Sequence, residues 1–217
     1  MKTDFGKYKD GIFWAVGLTL TALAVSLAAK SGFGVSMVVA PAYVLHLKLA
    51  EYLPWFSFGV SEFLVQFLLI AAMALIVKEL RMKYILTFGT AAIYGAILDL
   101  WRKLFGTDIP SELPHRIFFA VCGIVICAFA ISLMFRTSWP QESYDMFVKD
   151  VSEYLNIDTD KFKWGYDTAS LLIAIALMLI LFHTFSFEMI GIGTIVTTIV
   201  NAPLIAFFGR IVDRITA

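Results

Sequence analysis

The sequence predicts an all-α membrane protein, and its composition and its apolar runs carry that prediction. Of the 217 residues, 60% are hydrophobic and only 16% are charged, against about 25% charged residues in an average soluble domain. Six apolar runs are long enough to cross a hydrocarbon core of about 30 Å as helices, and they lack the alternating period of barrel strands. These runs lie at 11–29, 58–77, 84–101, 116–135, 166–185 and 191–209.

The positive charges outside these runs predict the orientation of the chain. The two tails and the second and fourth connections hold twelve Lys and Arg residues, whereas the remaining connections hold five. Because cytoplasmic segments carry the excess of positive charge, we expect both termini in the cytoplasm of a bacterial plasma membrane. Lysines before the first run are typical of a signal peptide, but a second copy of this helix later in the chain argues against cleavage. The net charge of zero argues against a nucleic-acid partner.

An internal repeat divides the spans into two units of three helices. A shift of 106 residues aligns Gly17 with Gly123, and Phe56 follows Lys30 by the same 26 positions that separate Phe162 from Arg136. Since three spans are an odd number, the second unit is expected upside down relative to the first. We therefore predict one membrane domain, residues 1–217, made of inverted repeats at about 11–101 and 116–212. Inverted repeats are typical of secondary transporters, whose site lies near the midplane.

Each unit contains a segment after its first span that is neither a span nor an ordinary loop. Residues 31–49 are too apolar for an aqueous loop and too interrupted for a span, and their counterpart, residues 137–155, has the spacing of an amphipathic helix with a capping box at 138–141. Both segments are predicted to be re-entrant or interfacial helices that close a central cavity from opposite sides; the alternative is a pair of surface anchors. The residues expected to bend or gate them are Gly32, Gly34, Ser36, Pro41, Pro140 and Glu142.

Two stretches of this sequence resemble a known family. They are "AKSGFGVSMVVAPAYVLHLKL" followed by "FSFG" in the first half, and "GIGTIVTTIVNAPLIAFF" in the second. They are similar to the YczE/YitT-like small bacterial membrane proteins, whose members are mostly of undefined function. The resemblance implies a bacterial membrane location and this architecture. Where that family often has Pro, Trp and an acidic residue, this chain has Met37, Val38 and Val39.

Few polar residues lie within the apolar runs, and each is a functional candidate because an ionisable group there costs about 2.5–3.5 kcal/mol. Glu62 and Gln66 are spaced i and i+4 on one helix face. Asp167 has a similar depth in the fifth run, and Asn201 lies deep in the sixth. For Glu62 and Asp167 the alternative is the water boundary, and for Asn201 it is a helix–helix hydrogen bond. The predicted binding residues are Glu62, Gln66, Tyr94, Asp167, Thr194 and Asn201.

These patterns favour a secondary transporter over an enzyme. The zinc, nucleophile-elbow and phosphate-loop motifs are missing from the sequence, so neither an enzyme, a metal nor a cofactor is predicted. Because buried acids are few, the sequence favours a small neutral or amphiphilic substrate. The alternative is a membrane scaffold or regulator that binds a partner through segment 137–163. The lipid bilayer is the first partner expected, and a homodimer is compatible with the apolar surface.

Overall fold

A computed structural model describes residues 4–79 and 81–216, which form eight α-helices and no strand. Six of these helices are long and apolar enough to cross a membrane, so the predicted all-α class with six spans is confirmed. The helices are α1 Asp4–Ser31, α2 Ala40–Leu49, α3 Phe58–Val77, α4 Met82–Phe105, α5 Leu113–Met134, α6 Ser143–Tyr154, α7 Thr159–Phe182 and α8 Ile192–Thr216.

The fifth span differs most from its prediction, which placed it at 166–185. Helix α7 begins seven residues earlier, at Thr159, because the side chain of Asp158 accepts a hydrogen bond from the Lys161 backbone N–H at 3.1 Å and caps the helix. The helix ends at His183, whose left-handed φ of 54° stops it within the apolar run. Apolar runs therefore mark where a helix meets lipid, whereas capping residues mark where it begins and ends.

Helices α1 and α5 cross at the centre of the molecule in antiparallel directions. A Cβ atom on Gly17 would lie 3.2 Å from the carbonyl oxygen of Ala130, and one on Gly123 would lie 3.1 Å from the carbonyl oxygen of Ala24. The two glycines thus allow the backbones to approach closely at both ends of the crossing, which is how small residues drive helix association in membranes. Helix α4 packs on the outside of α1, and α8 packs on the outside of α5.

The two short helices pack against spans of both halves. Helix α2 lies between α3 and α7, and α6 also lies between α3 and α7. The α3–α4 seam is held by Asp99, whose carboxylate accepts hydrogen bonds from the Ser57 hydroxyl and from the Gly59 backbone N–H. Asp99 thereby satisfies one of the free backbone N–H groups at the start of α3, that of Gly59. Helices α7 and α8 share no comparable seam.

Residues 137–154 form a re-entrant hairpin, called here the α6 hairpin. The end of the bundle that holds Asp4 and Thr216 is called the terminal face. The hairpin starts near this face, where the Thr137 hydroxyl donates to the Asp10 carbonyl at 2.9 Å. It then reaches Gln66, whose Oε1 accepts from the Ser143 N–H at 3.4 Å. Gln66 is the ninth residue of α3 and lies about 12 Å along that helix, so α6 begins deep in the bundle.

Helix α6 then returns to the terminal face. There Lys83, at the start of α4, donates to Asp150 at 2.7 Å, and the Tyr84 hydroxyl donates to the same carboxylate at 3.0 Å. The predicted capping box at 138–141 is wrong: residues up to Glu142 are not helical, and α6 begins at Ser143 without a side-chain cap. The non-helical stretch surrounds Pro140, whose carbonyl accepts from the Trp14 indole N–H at 2.8 Å.

Residues 32–49 form the second re-entrant hairpin, called here the α2 hairpin, which enters from the opposite face. Gly34 has a φ of +92°, and a Cβ atom there would lie 2.5 Å from the Gly191 backbone nitrogen. Pro41 occupies the first turn of α2, as predicted. The helix ends near Phe182, the last residue of α7, where the Lys48 ammonium lies 5.3 Å from the ring centroid. Tyr43 and Val44 are buried, which excludes a surface anchor for this segment.

Candidate functional site

Glu62 and Tyr144 form the centre of a buried polar group at the start of α6. The Tyr144 hydroxyl donates to Glu62 Oε2 at 2.8 Å. Glu62 is fully buried rather than at a water boundary, and so is Gln66, one turn further along α3. The amphipathic pattern of α6 places Tyr144 on the face that packs against α3, which brings its phenol to this carboxylate. This part of the structure is the polar site.

Several polar atoms of this site have no hydrogen-bond partner within the described ranges. A buried polar group without a partner costs about 1–3 kcal/mol, so a cluster of them indicates groups that await a ligand. Tyr94, on α4, is also fully buried. It is close enough to Glu62, Glu142 and Cys127 to interact with them electrostatically. The unpartnered atoms of the cluster are Glu62 Oε1, Gln66 Nε2, Tyr94 OH, Ser143 Oγ and Asn201 Oδ1.

Asn201 brings α8 to the edge of the same site. It lies about 13 Å along α8, and its amide nitrogen is 3.9 Å from the Cys127 sulfur on α5. Cys127 in turn interacts electrostatically with Tyr94, and Tyr94 with Glu62. These interactions connect Asn201 to the residues around Glu62. The site is therefore formed by α3, α4, α5, α6 and α8, which come from both halves of the chain.

Glu142 adds a second carboxylate to the polar site. It is the residue before the first turn of α6, but its side chain makes no cap hydrogen bond. Burial, together with the smaller effects of the nearby carboxylates of Asp145 and Glu62, raises the pKa of Glu142 to about 8. The sequence predicted Glu142 as a gate residue; the structure places it beside the predicted binding residues Glu62 and Tyr94.

Asp167 belongs to a neighbouring group between α6 and α7. The Lys163 ammonium lies 3.9 Å from Asp167 and 4.0 Å from Asp145. Burial raises the pKa of Asp145, and the Lys163 charge opposes that rise. Asp167 thus has a cation within ion-pair distance, whereas none of the interactions that shift the pKa of Glu142 comes from a cation.

Apart from Pro140 in the α6 hairpin, the remaining predicted residues lie in the α2 hairpin or, in the case of Thr194, against it. Thr194, in the first turn of α8, accepts a hydrogen bond from the Gly191 N–H at 3.3 Å and lies against Gly34. The hairpin around it is lined by buried apolar residues, which are Val35, Val39, Ala40 and Ala42. Gly32, Ser36 and Pro41 are part of this hairpin as well. Of the six predicted binding residues, the structure groups Glu62, Gln66, Tyr94 and Asn201.

Sequence reasoning missed Tyr144, Ser143 and Cys127 as members of the site. Tyr144 was recognised only as one apolar position of an amphipathic helix, because its partner Glu62 is 82 residues away in the sequence. Its polar hydroxyl on a helix face that becomes buried was the one available signal, since a buried Tyr hydroxyl usually finds a partner. Among residues 4–79 and 81–216, no group of three or more His, Cys, Asp or Glu side chains is arranged to hold a metal ion.

The fold and the site together define a class: an integral membrane protein with six candidate spans, two helical hairpins packed between them and a buried polar site at the start of α6. The chain belongs to a family of unknown function, DUF6198, whose model matches residues 8–210. No curated protein and no solved structure matches it.

Proposed function

We propose that this protein is a secondary transporter of a small molecule, which binds at the polar site. The observation that carries the proposal is the set of fully buried, unpartnered polar atoms of Glu62, Gln66 and Tyr94 at the start of a re-entrant helix. A re-entrant helix that ends near mid-depth is how many transporters present polar groups to a substrate inside the membrane. A scaffold protein has no use for unsatisfied polar atoms in its interior.

Reciprocal contacts support the inverted repeat on which alternating access depends. The Arg116 guanidinium donates to the carbonyl of Ser31 at 2.8 Å. At the positions related by 106 residues, the Thr137 hydroxyl donates to the carbonyl of Asp10. The close approaches of Gly17 and Gly123 to the opposite helix are related by the same shift. The same pairs of related positions therefore meet across the two halves, as a two-fold axis requires, although the second half supplies the donor in both hydrogen bonds.

The two hairpins are suited to gate the site from opposite faces. The α6 hairpin separates the polar site from the terminal face and is fixed there by Asp150, which binds Lys83 and Tyr84. The α2 hairpin covers the opposite side and packs on the start of α8 through Gly34. Movement of one repeat against the other would release one hairpin at a time. We further propose that the terminal face is cytoplasmic in a bacterial plasma membrane, since it carries the excess of Lys and Arg.

The scaffold alternative requires segment 137–163 to be free for a partner. Val148, Asp150 and Val151 of this segment are buried against the bundle instead, which favours transport. The likeness of the "SGFGVS" and "GIGT" stretches to YczE/YitT-like proteins supports a shared architecture for the two families, as part of the same proposal.

A ligand screen tests the proposal. The purified protein in detergent is heated with each member of a metabolite library, because a ligand present at 100 times its Kd stabilises the folded state by about 2.7 kcal/mol. We expect a ligand that raises the Tm of the wild type and of Glu112→Gln, which alters an exposed carboxylate in the connection before α5. The same ligand should leave the Tm of Glu62→Gln and Asn201→Ala unchanged.

The ligand is then tested for flux into proteoliposomes. Uptake that Glu62→Gln abolishes supports the transporter. If the library gives no shift and affinity capture recovers a partner bound to segment 137–163, the scaffold replaces the transporter.

A further inference from the structure

The polar site holds more negative groups than positive ones. The Glu62 and Glu142 carboxylates are close enough to interact electrostatically, and each also interacts electrostatically with Tyr94. Lys163 lies at the border of the site, within ion-pair distance of Asp145 and Asp167, and Lys83 binds Asp150 at the far end of α6. The titratable or charged side chains that face the site or its border are Glu62 on α3, Tyr94 on α4, Cys127 on α5, Glu142, Tyr144 and Asp145 at α6, and Tyr166, Asp167 and Lys163 on α7.

This pair of carboxylates, in which Glu62 is fully buried and Glu142 partly buried, is unstable when both are ionised and no cation is close. Removing an ion from water costs several kcal/mol, and the cost is recovered only when a charge of opposite sign is close and the remaining hydrogen bonds are made. The empty site can therefore exist in two ways: its carboxylates hold protons, or a cation binds between them. Burial and the nearby Asp145 and Glu62 carboxylates raise the pKa of Glu142 to about 8, which favours the protonated form at neutral pH.

We propose that the substrate site is a receptor for a small organic cation, a primary ammonium, which displaces a proton from the Glu62–Glu142 pair. This inference rests on the proposed function and names the substrate class of the same site. It differs from the neutral or amphiphilic substrate that the sequence favoured, because Glu142 was not expected near Glu62. Binding breaks the O–H bond of one carboxylic acid, releases that proton to solvent and leaves a carboxylate paired with the ammonium.

The unpartnered atoms of the site match the hydrogen bonds of an ammonium group. An ammonium has three N–H donors and no acceptor. Asn201 Oδ1 and the Tyr94 hydroxyl oxygen are buried acceptors without a donor, and Glu62 Oε1 is a third, which the Gln66 amide approaches. Tyr94 and Tyr144 also offer aromatic faces, which attract cations. A divalent metal is disfavoured, since the described residues contain no group of three or more acidic, His or Cys ligands. An anion would meet two carboxylates.

Proton release on binding tests the inference in the wild-type protein without any mutation. Butylammonium chloride is added to the purified protein in weakly buffered detergent with a pH indicator, and binding is followed by thermal shift. At pH 7 we expect about one proton released per cation bound. The apparent affinity should fall about tenfold from pH 7 to pH 6, since protons compete for the site, and should change little between about pH 9 and pH 10, below the pH at which the alkylammonium itself loses its proton. Butanol and butyrate, the neutral and anionic analogues, should not bind.

Variants then locate the effect. Glu62→Gln and Glu142→Gln should abolish both proton release and the thermal shift, while Glu153→Gln, which alters an exposed carboxylate on the same helix α6, should leave both unchanged. Tyr94→Phe, which removes one acceptor, should weaken binding about tenfold. Butylammonium binding without proton release, binding that survives in both glutamine variants, or no binding of butylammonium would each overturn the inference.

Flux measurements separate this inference from the proposed function. Proteoliposomes on a solid-supported membrane receive a butylammonium gradient, and current is recorded. Binding with proton release but without current would retain the cation site and remove the transporter. Uptake of butanol or of a neutral metabolite by the wild type and by Glu142→Gln alike would retain the transporter and remove the cation site.

Discussion

Gly59→Ala is expected to destabilise the protein strongly, because Gly59 is the point of closest approach between α3 and α4. An added Cβ atom would lie 2.0 Å from the carbonyl oxygen of Gly95 and 2.7 Å from the Asp99 carboxylate. An ordinary contact needs at least 3.4 Å, so the two helices must separate by more than 1 Å. Gly165, which is related to Gly59 by the shift of 106 residues, has no atom within 4 Å of its added Cβ, and Gly165→Ala is the matched control.

The magnitude follows from two costs. Overpacking of a close contact costs about 1–3 kcal/mol. Separation of the helices also breaks the 2.8 Å hydrogen bond from the Gly59 N–H to Asp99, and a hydrogen bond to a charged group contributes about 1.5–3 kcal/mol. The free energy of unfolding should therefore fall by about 3–6 kcal/mol in Gly59→Ala. In Gly165→Ala it should rise by up to about 1 kcal/mol, since Ala is the better helix former.

Reversible unfolding in mixed micelles with a denaturing detergent, followed by circular dichroism, measures both free energies. Equal effects of the two substitutions would refute the argument, because they would mean that α3 and α4 do not meet at Gly59. A large loss of stability in Gly165→Ala alone would refute it as well, since it would require a tight contact on α7 that the structure does not contain.

Two further predictions concern Arg116 and Glu142. Arg116→Gln should lower the free energy of unfolding by about 2 kcal/mol, because it removes two hydrogen bonds from a charged donor to the end of α1; Lys103→Gln, at an exposed position of the same face, is the control in the same unfolding assay. Glu142→Gln should stabilise the protein more at pH 8 than at pH 5. The folded state raises the pKa of Glu142 from 4.5 to about 8, so the wild type is favoured below pH 4.5 and loses this contribution as the pH rises to 8. The gain on going from pH 5 to pH 8 should be on the order of 2 kcal/mol, given that Glu142 is partly exposed; a pH-independent difference in Tm would contradict it.

The sequence was most informative where one physical effect decides the structure. The span at 58–77 was predicted to the residue, because Ser57 caps α3 exactly where the apolar run begins. The spacing of Glu62 and Gln66 correctly placed both on one helix face, since the helical period alone fixes that relation. The α2 hairpin was predicted to be embedded, because a segment so apolar must be removed from water.

The sequence was least informative about contacts between distant segments. Thr194 and Asn201 lie seven residues apart on α8, yet Thr194 packs in the α2 hairpin and Asn201 borders the polar site. Their separation of about 10 Å along the helix axis assigns them to different depths, and nothing in the local pattern tells which depth holds the site. Glu142 was expected to cap a helix or to gate, because only the fold brings it to Glu62.

If the two halves are inverted repeats, as we propose, the difference between the two hairpins explains why the described residues form a polar site at α6 and not at α2. The 106-residue shift relates Glu142 to Ser36 and Tyr144 to Val38, so the α2 hairpin lacks both the acid and the phenol. Its surroundings are correspondingly apolar and packed. The symmetric contacts of α1 and α5 preserve a shared scaffold, while divergence at a few hairpin positions confines the charge to the side of α6. In a transporter built this way, the hairpin that carries the carboxylate binds the substrate, and the apolar hairpin excludes water from the opposite face.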